Sequence, residues 1–213
     1  MATWRSVSER KFLVHPFDIT ALSGVNAKFP KNRVPEPWFG NPRKADIFVL
    51  TLNPGHGDGD DDHCARTHDF FWRMIAGNSD FSDYQRSISQ AGIRWGTRTY
   101  GDFLPYSMSR ICNLRLVAYP SPQKADMGKL SDDPTLLPTT RIMLDFVHRL
   151  LVPRARSGRC LLLVMRSPTA WGFGCPETDV WQGGLFVSRP LRTASISPRS
   201  RVGQAINDRL QSR

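Results

Sequence analysis

The chain has 213 residues, which suits one domain with a buried core. No apolar run approaches the roughly 18 to 20 residues that span a bilayer, and Met1 to Arg10 is polar and charged, unlike a secretory leader, so the expected location is cytoplasmic. The formal charge is +10 and lysine occurs only at positions 11, 28, 31, 44, 124 and 129, so arginine dominates. Arginine grips phosphate bidentately and stacks on bases, which favours a nucleic-acid partner over a merely solvated basic surface. No basic amphipathic helix with an aromatic face argues for a membrane surface.

Residues 1–44 mix apolar anchors (Phe12, Leu13, Phe17, Leu22) with turn formers. The run from Arg33 to Pro42 holds three prolines and must be extended or turning. This part reads as an N-terminal arm packed on a single domain of residues 45–213. Ala45 to Leu52 is almost continuously apolar and rich in β-formers, as expected of a central strand covered on both faces. It ends at Asn53-Pro54-Gly55-His56. An Asn there would hold a fixed amide, beside exposed backbone N–H groups, at the mouth of the sheet, where α/β proteins place their ligands. Such an amide can orient a water or stabilise developing charge. The alternative is a tight turn built from ordinary turn residues.

Residues 56–63 form an acidic loop. With His56, His63 and His68 it could bind a divalent ion, but it lacks regular Ca²⁺-loop spacing, so the reading is a solvated loop and no metal. Asp69 to Ile75 is helix-like and Gly77-Asn78 should end it. Phe70 or Phe71 could stack on a flipped base, yet Phe70, Phe71 and Trp72 cannot all face one way, so at least one belongs to the core. Ser82 is expected to cap a helix through Gln90 that stops near Gly92.

Ile111 to Tyr119 is the second strand candidate, closed by Pro120-Ser121-Pro122. Asn113 lies within it. A strand Asn among apolar neighbours needs a partner, either a ligand edge or the backbone. Residues 121–138 read as a polar surface loop. Thr139 or Thr140 should cap a helix through Leu151, with Ile142, Met143, Phe146, Val147 and Leu150 on its apolar side and Pro153 as its stop. Cys160 to Met165 is the third strand, ending in Arg166-Ser167-Pro168. Leu191 to Ile196 is the fourth, ending in Ser197-Pro198-Arg199-Ser200-Arg201. Val202 to Leu210 closes the chain as a helix. Arginine, serine and proline at strand ends would suit a phosphate-gripping rim. No Gly-x-Ser-x-Gly elbow surrounds Ser167 or Ser197, and no Walker loop follows Asn53.

Four cysteines, Cys64, Cys112, Cys160 and Cys175, show no Cys-x-x-Cys pair, which argues against a zinc ribbon. Cys112 and Cys160 read as small buried hydrophobes. The order of elements gives an α/β fold: a three-layer α/β/α sandwich around a short, mainly parallel four-stranded sheet.

These pieces, in this order over residues 45–202, resemble the uracil-DNA glycosylase superfamily. Leu50-Thr51-Leu52-Asn53-Pro54-Gly55 looks like the first motif of its mismatch-specific, thymine-DNA and single-strand-selective branches, where the uracil-specific branch has an aspartate at the place of Asn53. Ser197-Pro198-Arg199 falls where the second motif, His-Pro-Ser or Asn-Pro-Ser, follows the last strand. It keeps the proline and lacks the His or Asn. The resemblance implies a DNA glycosylase acting as a monomer, without metal or organic cofactor, on double- or single-stranded DNA. Asn53 would position the attacking water, with Pro54, Gly55 and His56 around it. Asn113 and Tyr119 would lie at the base, and Arg199 would replace the missing donor to the leaving group beside Ser197. Arg166, Ser167, Ser200 and Arg201 would meet phosphates. The competing readings are a DNA- or RNA-binding protein that has lost the chemistry, a small nucleoside hydrolase, and a metal-dependent phosphodiesterase working through the 56–63 loop.

Overall fold

A computed structural model describes residues 13–30, 33–55, 64–88, 90–121, 124–189 and 196–212. The protein is an α/β structure whose six-stranded, mostly parallel sheet is flanked by helices. The strands are β1 (Trp38–Phe39), β2 (Ile47–Thr51), β3 (Ile111–Arg115), β4 (Leu161–Val164), β5 (Val180–Gln182) and β6 (Leu185–Val187). Their order across the sheet is β1-β3-β2-β4-β6-β5. The inner four run parallel, and β1 and β5 pair antiparallel at the two edges. β2 is central, with Ile47 opposite both Ile111 and Leu161. Side chains alternate between faces, and every residue of β3 and β4 is buried, as is β2 up to Leu50. A strand covered on both sides can therefore read as one apolar run.

The helices are α1 (Ile19–Gly24), α2 (Cys64–Ala76), α3 (Phe81–Ser87), α4 (Gln90–Tyr100), α5 (Pro138–Phe146), α6 (Val152–Arg156) and α7 (Arg201–Gln211). α2 ends where its glycine requires. Gly77 adopts φ 86°, its N–H reaches Met74 O at 3.0 Å, and the Asn78 N–H reaches Arg73 O at 2.8 Å. This paired closure satisfies the last carbonyls of the helix. α3 is capped by Asp80 rather than Ser82. Asp80 accepts from the Asp83 N–H at 2.8 Å, the Asp83 carboxylate reaches back to the Asp80 N–H, and Ser82 donates its hydroxyl to Asp80. A carboxylate satisfies amide donors better than a hydroxyl does, which decides the cap. Gly92 does not stop a helix. It lies inside α4, where its carbonyl accepts from the Tyr84 hydroxyl at 2.9 Å.

α5 also differs from expectation at both ends. Pro138 opens it, with Leu137 as the capping position. The Thr139 and Thr140 hydroxyls instead bond Asp18 and Leu116 O. Pro153 does not end the helix. A wide π turn over Val147–Leu151 precedes it, and α6 continues through it to Arg156. Proline clashes with the carbonyl four residues back, and the widened turn moves that carbonyl aside.

Two regions were misplaced by pattern alone. Residues 124–137 are not a surface loop. They form 3₁₀ turns at Lys124–Ser131 and Pro134–Leu136 that bury Met127, Leu130 and Leu137 beside Val25, Val117 and Tyr119. The fourth parallel strand among the described residues is β6, which was not expected, and the expected strand from Leu191 to Ile196 falls outside them but for its last residue. Residues 191–195 lie outside the described ones, and Ile196 is buried coil whose N–H reaches Thr99 O at 2.9 Å. β5 and β6 are joined by Gly183-Gly184, the two-residue link that hairpins favour. A Cβ on Gly184 would lie 2.2 Å from Cys160 O, so the hairpin can seat against the start of β4 only with glycine there.

The arm enters the sheet through β1. Glu36 forms a buried ion pair with Arg115, and the Arg115 N–H bonds Pro37 O at 3.0 Å. Among the described residues no helix is long and apolar enough to cross a membrane.

Candidate functional site

Parallel strands place their carboxyl ends on one edge, and the edge here is not uniform. The β2–β3 pairing continues past the strands: the Leu116 N–H bonds Thr51 O at 3.1 Å, Val117 bonds Leu52 O at 2.8 Å, and Ser121 bonds Pro54 O at 3.1 Å. The β4–β6 pairing also continues, through the Ser188 N–H to Val164 O at 2.9 Å. Between β2 and β4 the register stops at Leu50–Val164, and among the described residues no backbone hydrogen bond joins the strands beyond it. The chain leaves β2 towards β3 on one side and returns to β4 on the other. Such a reversal of strand order opens a crevice at the carboxyl ends, the usual ligand position in open α/β sheets. The segments that follow β2 and β4 there, its expected walls, are Leu52-Asn53-Pro54 and Met165-Arg166-Ser167.

On the first wall, Asn53 is half-buried. Its Nδ2 donates to Pro54 O at 2.9 Å and to Ser121 Oγ at 2.8 Å. A backbone carbonyl can only accept, so the atom facing it must be the amide nitrogen. Both N–H groups are thereby used, and Oδ1 accepts no hydrogen bond among the described residues. Pro54 is buried and Gly55 is exposed, bridged in parallel to Ser121. His56 and the acidic loop through position 63 lie outside the described residues. Among the described residues no cluster of His, Cys, Asp and Glu could hold a metal ion. His68 is held below its ordinary pKa by burial, helped by the charge of Arg33.

On the second wall, Arg166 is exposed, and Ser167 is half-buried with φ 53°, left-handed backbone that a non-glycine residue adopts at a cost. The turn behind it is fixed by the Phe173 N–H on Pro168 O at 2.9 Å and by His148 Nε2, which donates to Trp171 O at 2.7 Å.

Ser197, Arg199 and Arg201 are exposed at the start of α7, and Ser200 is its cap, accepting from the Gly203 N–H at 3.1 Å. The far end of α7 is pinned to the amino edge of the sheet, where Arg209 Nε bonds Asp46 Oδ2 at 3.0 Å and Arg110 bonds Leu210 O at 2.8 Å. Eleven helical residues span about 16 Å at roughly 1.5 Å each. The five residues of β2 span about the same at roughly 3.3 Å each. The start of α7, with the 197–201 turn, is therefore about one strand length from that amino edge. The Arg201 guanidinium lies over the Trp181 ring, 5.2 Å from its centroid. Among the described residues, neither Arg166, Arg199 nor Arg201 is ion-paired to a carboxylate.

Four expected site residues are elsewhere. Phe70 is fully buried and Phe71 nearly so, edge-to-face with each other at 5.4 Å. Neither ring has a face on which a base could lie, because α2 turns both into the core. Asn113 is fully buried in mid-strand, and its Oδ1 accepts from Thr51 Oγ1 at 2.7 Å. Among the described residues neither its Nδ2 nor the Tyr100 hydroxyl makes a hydrogen bond of good geometry. The two groups are close enough that the amide partly offsets the rise in the Tyr100 pKa caused by burial. Tyr119 is buried as well. It donates to Asp18 Oδ2 at 2.7 Å and accepts from the His15 N–H at 3.1 Å. Burial and the Asp18 charge raise its pKa and keep the phenol neutral. Its work is to fasten the arm to the segment after β3.

Ser121 is the site residue that pattern reading passed over. Its only signal is its place between two prolines at the end of the second strand. Compared with models of protein families, with curated proteins and with solved structures, the chain gives no match.

Proposed function

We propose that the chain is a monofunctional DNA glycosylase that hydrolyses the N-glycosidic bond of an aberrant or modified base after flipping it from the stack, on a uracil-DNA glycosylase-like version of this fold. The observation that carries the reading is Asn53: an amide fixed at the switch point by two bonds from its nitrogen, which leaves its acceptor oxygen unused among the described residues. Such an Oδ1 can take a proton-side contact from water and aim the water oxygen at the sugar carbon as oxocarbenium character develops. Ser197 and Arg199, exposed at the start of α7, complete the site in this reading, and Arg199 supplies positive charge toward a departing base. Arg166, Ser167, Ser200 and Arg201 serve the phosphates on either side, with double- or single-stranded DNA as the partner. The monomer is the acting form, the cytoplasm the place, and no cofactor enters the chemistry. Flipping costs a few kcal/mol, least for a mismatched or damaged base. An amide stabilises positive charge less than a carboxylate would, so the reading favours bases that leave readily.

The buried Phe70, Phe71 and Asn113 favour a second reading, a protein that holds DNA without cutting the bond, since none of them meets a base. The Asn53→Ala variant separates the two. A glycosylase loses about 100-fold or more in single-turnover rate, the scale of removing one oriented polar group, while DNA affinity stays within a few-fold. A wild type that binds DNA and releases no base supports the binder.

A further inference from the structure

We infer that Ser121 is a positioning residue that fixes which end of the Asn53 amide faces the crevice, so that the site takes a neutral hydrogen-bond donor and turns away anionic oxygen. The inference deepens the reading of the same site, yet its geometric core stands whether or not a base is released. An amide can present either its oxygen or its nitrogen, and rotating it by half a turn inverts what it recognises. At Asn53 two acceptors hold the nitrogen inward: Pro54 O at 2.9 Å and Ser121 Oγ at 2.8 Å. The carbonyl alone would settle one N–H. The hydroxyl settles the second and ties the amide to the neighbouring segment, 68 positions away in sequence.

Ser121 is well placed to do this. It is almost fully buried, its own N–H is bonded to Pro54 O at 3.1 Å, and its backbone is bridged to Gly55. The hydroxyl is thus carried on backbone that is already fastened to the turn it orients. With both N–H groups taken, only Oδ1 is left to meet a ligand; it accepts from water, a hydroxyl or an N–H, and repels a carboxylate or phosphate oxygen. Phosphate recognition must come from the exposed arginines, not from Asn53.

The test reads the amide itself. In ¹⁵N-labelled protein the Asn53 side-chain NH₂ signal is assigned by its loss in Asn53→Ala. In the wild type it should exchange with solvent at least about fivefold more slowly than the NH₂ of exposed Asn78, the protection that about one buried hydrogen bond confers. In Ser121→Ala exchange should accelerate by about the same factor, and in Ser121→Thr, which keeps the hydroxyl, it should return toward the wild-type rate. Wild-type exchange as fast as that of Asn78 overturns the inference even if neither variant folds. So does an unchanged rate in Ser121→Ala, or a Ser121→Thr rate equal to that of Ser121→Ala. Absence of base release would sink the glycosylase reading and leave these rates as expected.

Discussion

The two edges of the sheet use arginine in opposite ways. At the amino edge Asp46, almost fully buried, receives Arg110 through two bonds of 3.1 and 2.7 Å and Arg209 through one of 3.0 Å. Arg110 also donates to Arg209 O and Leu210 O, and Arg209 to Gly158 O. That edge is closed: one carboxylate locks the last helix to the starts of β2 and β4. At the carboxyl edge the register between β2 and β4 stops, and Arg166 there, like Arg199 and Arg201 at the start of α7, is exposed and, among the described residues, has no carboxylate partner. The lesson concerns the charge of +10. Arg110, Arg115 and Arg209 are spent on structure, so only a subset of the arginines can account for binding a polyanion.

The largest expected effect is at the closed edge. Asp46→Asn leaves two arginines facing each other without their anion and should cost about 3 kcal/mol in denaturant unfolding, the scale of removing one partner of a buried pair. Its DNA affinity, measured where the variant is folded, should stay near wild type. A large loss of affinity would mean that the amino edge belongs to the binding surface.

Tyr119→Phe comes next. It removes a hydroxyl from the buried Asp18 carboxylate, which keeps the Thr139 N–H at 3.1 Å and the Thr139 hydroxyl. Stability should fall by about 2 kcal/mol, with any base-release rate unchanged in the folded protein. A rate loss without a stability loss would return Tyr119 to the site.

Asn53→Asp tests the open edge by charge. A carboxylate there would face the Pro54 carbonyl, so its folded pKa should be raised. A raised carboxyl pKa destabilises the fold as pH climbs through the unfolded value, about 3.9, and leaves the fold undisturbed below it. The variant should be about 1–2 kcal/mol less stable than wild type at pH 7, with the gap narrowing as pH falls toward about 4 and closed below it in parallel thermal melts. Equal stability across that range would show that the amide is not held by Pro54 and Ser121.

The smallest effects belong to single exposed arginines. Arg199→Ala and Arg201→Ala should each leave stability unchanged and reduce the slope of log affinity against log salt by about one, as loss of one phosphate contact does. Arg43→Ala, at an exposed position of the turn before β2, is the control and should leave that slope alone.

The sequence showed the strands that are apolar throughout. Ala45 to Leu52, Ile111 to Tyr119 and Cys160 to Met165 each contain a parallel strand, because a doubly covered strand needs no alternation. β6 escaped because three buried residues are too few to form a pattern, and Gln182 before Gly183-Gly184 interrupts the apolar signal on the β5 side. The turn at Asn53-Pro54-Gly55 was legible as the end of β2, because proline and glycine do not continue a central strand. Asn113 and Tyr119 were misread for one physical reason. A polar group near a strand end looks the same in sequence whether it meets a ligand or a buried partner, and here the partners, Thr51 and Asp18, lie 62 and 101 positions away. Ser121 went unseen on the same ground, since its role exists only once the turn after β2 lies against it.

The most direct measurement is mass spectrometry of the products after single-turnover incubation with DNAs carrying uracil, mismatched and modified bases. The account predicts a free base and an abasic, uncut strand from at least one of them, unaffected by EDTA and lost in Asn53→Ala. Intact N-glycosidic bonds across the whole panel would contradict it.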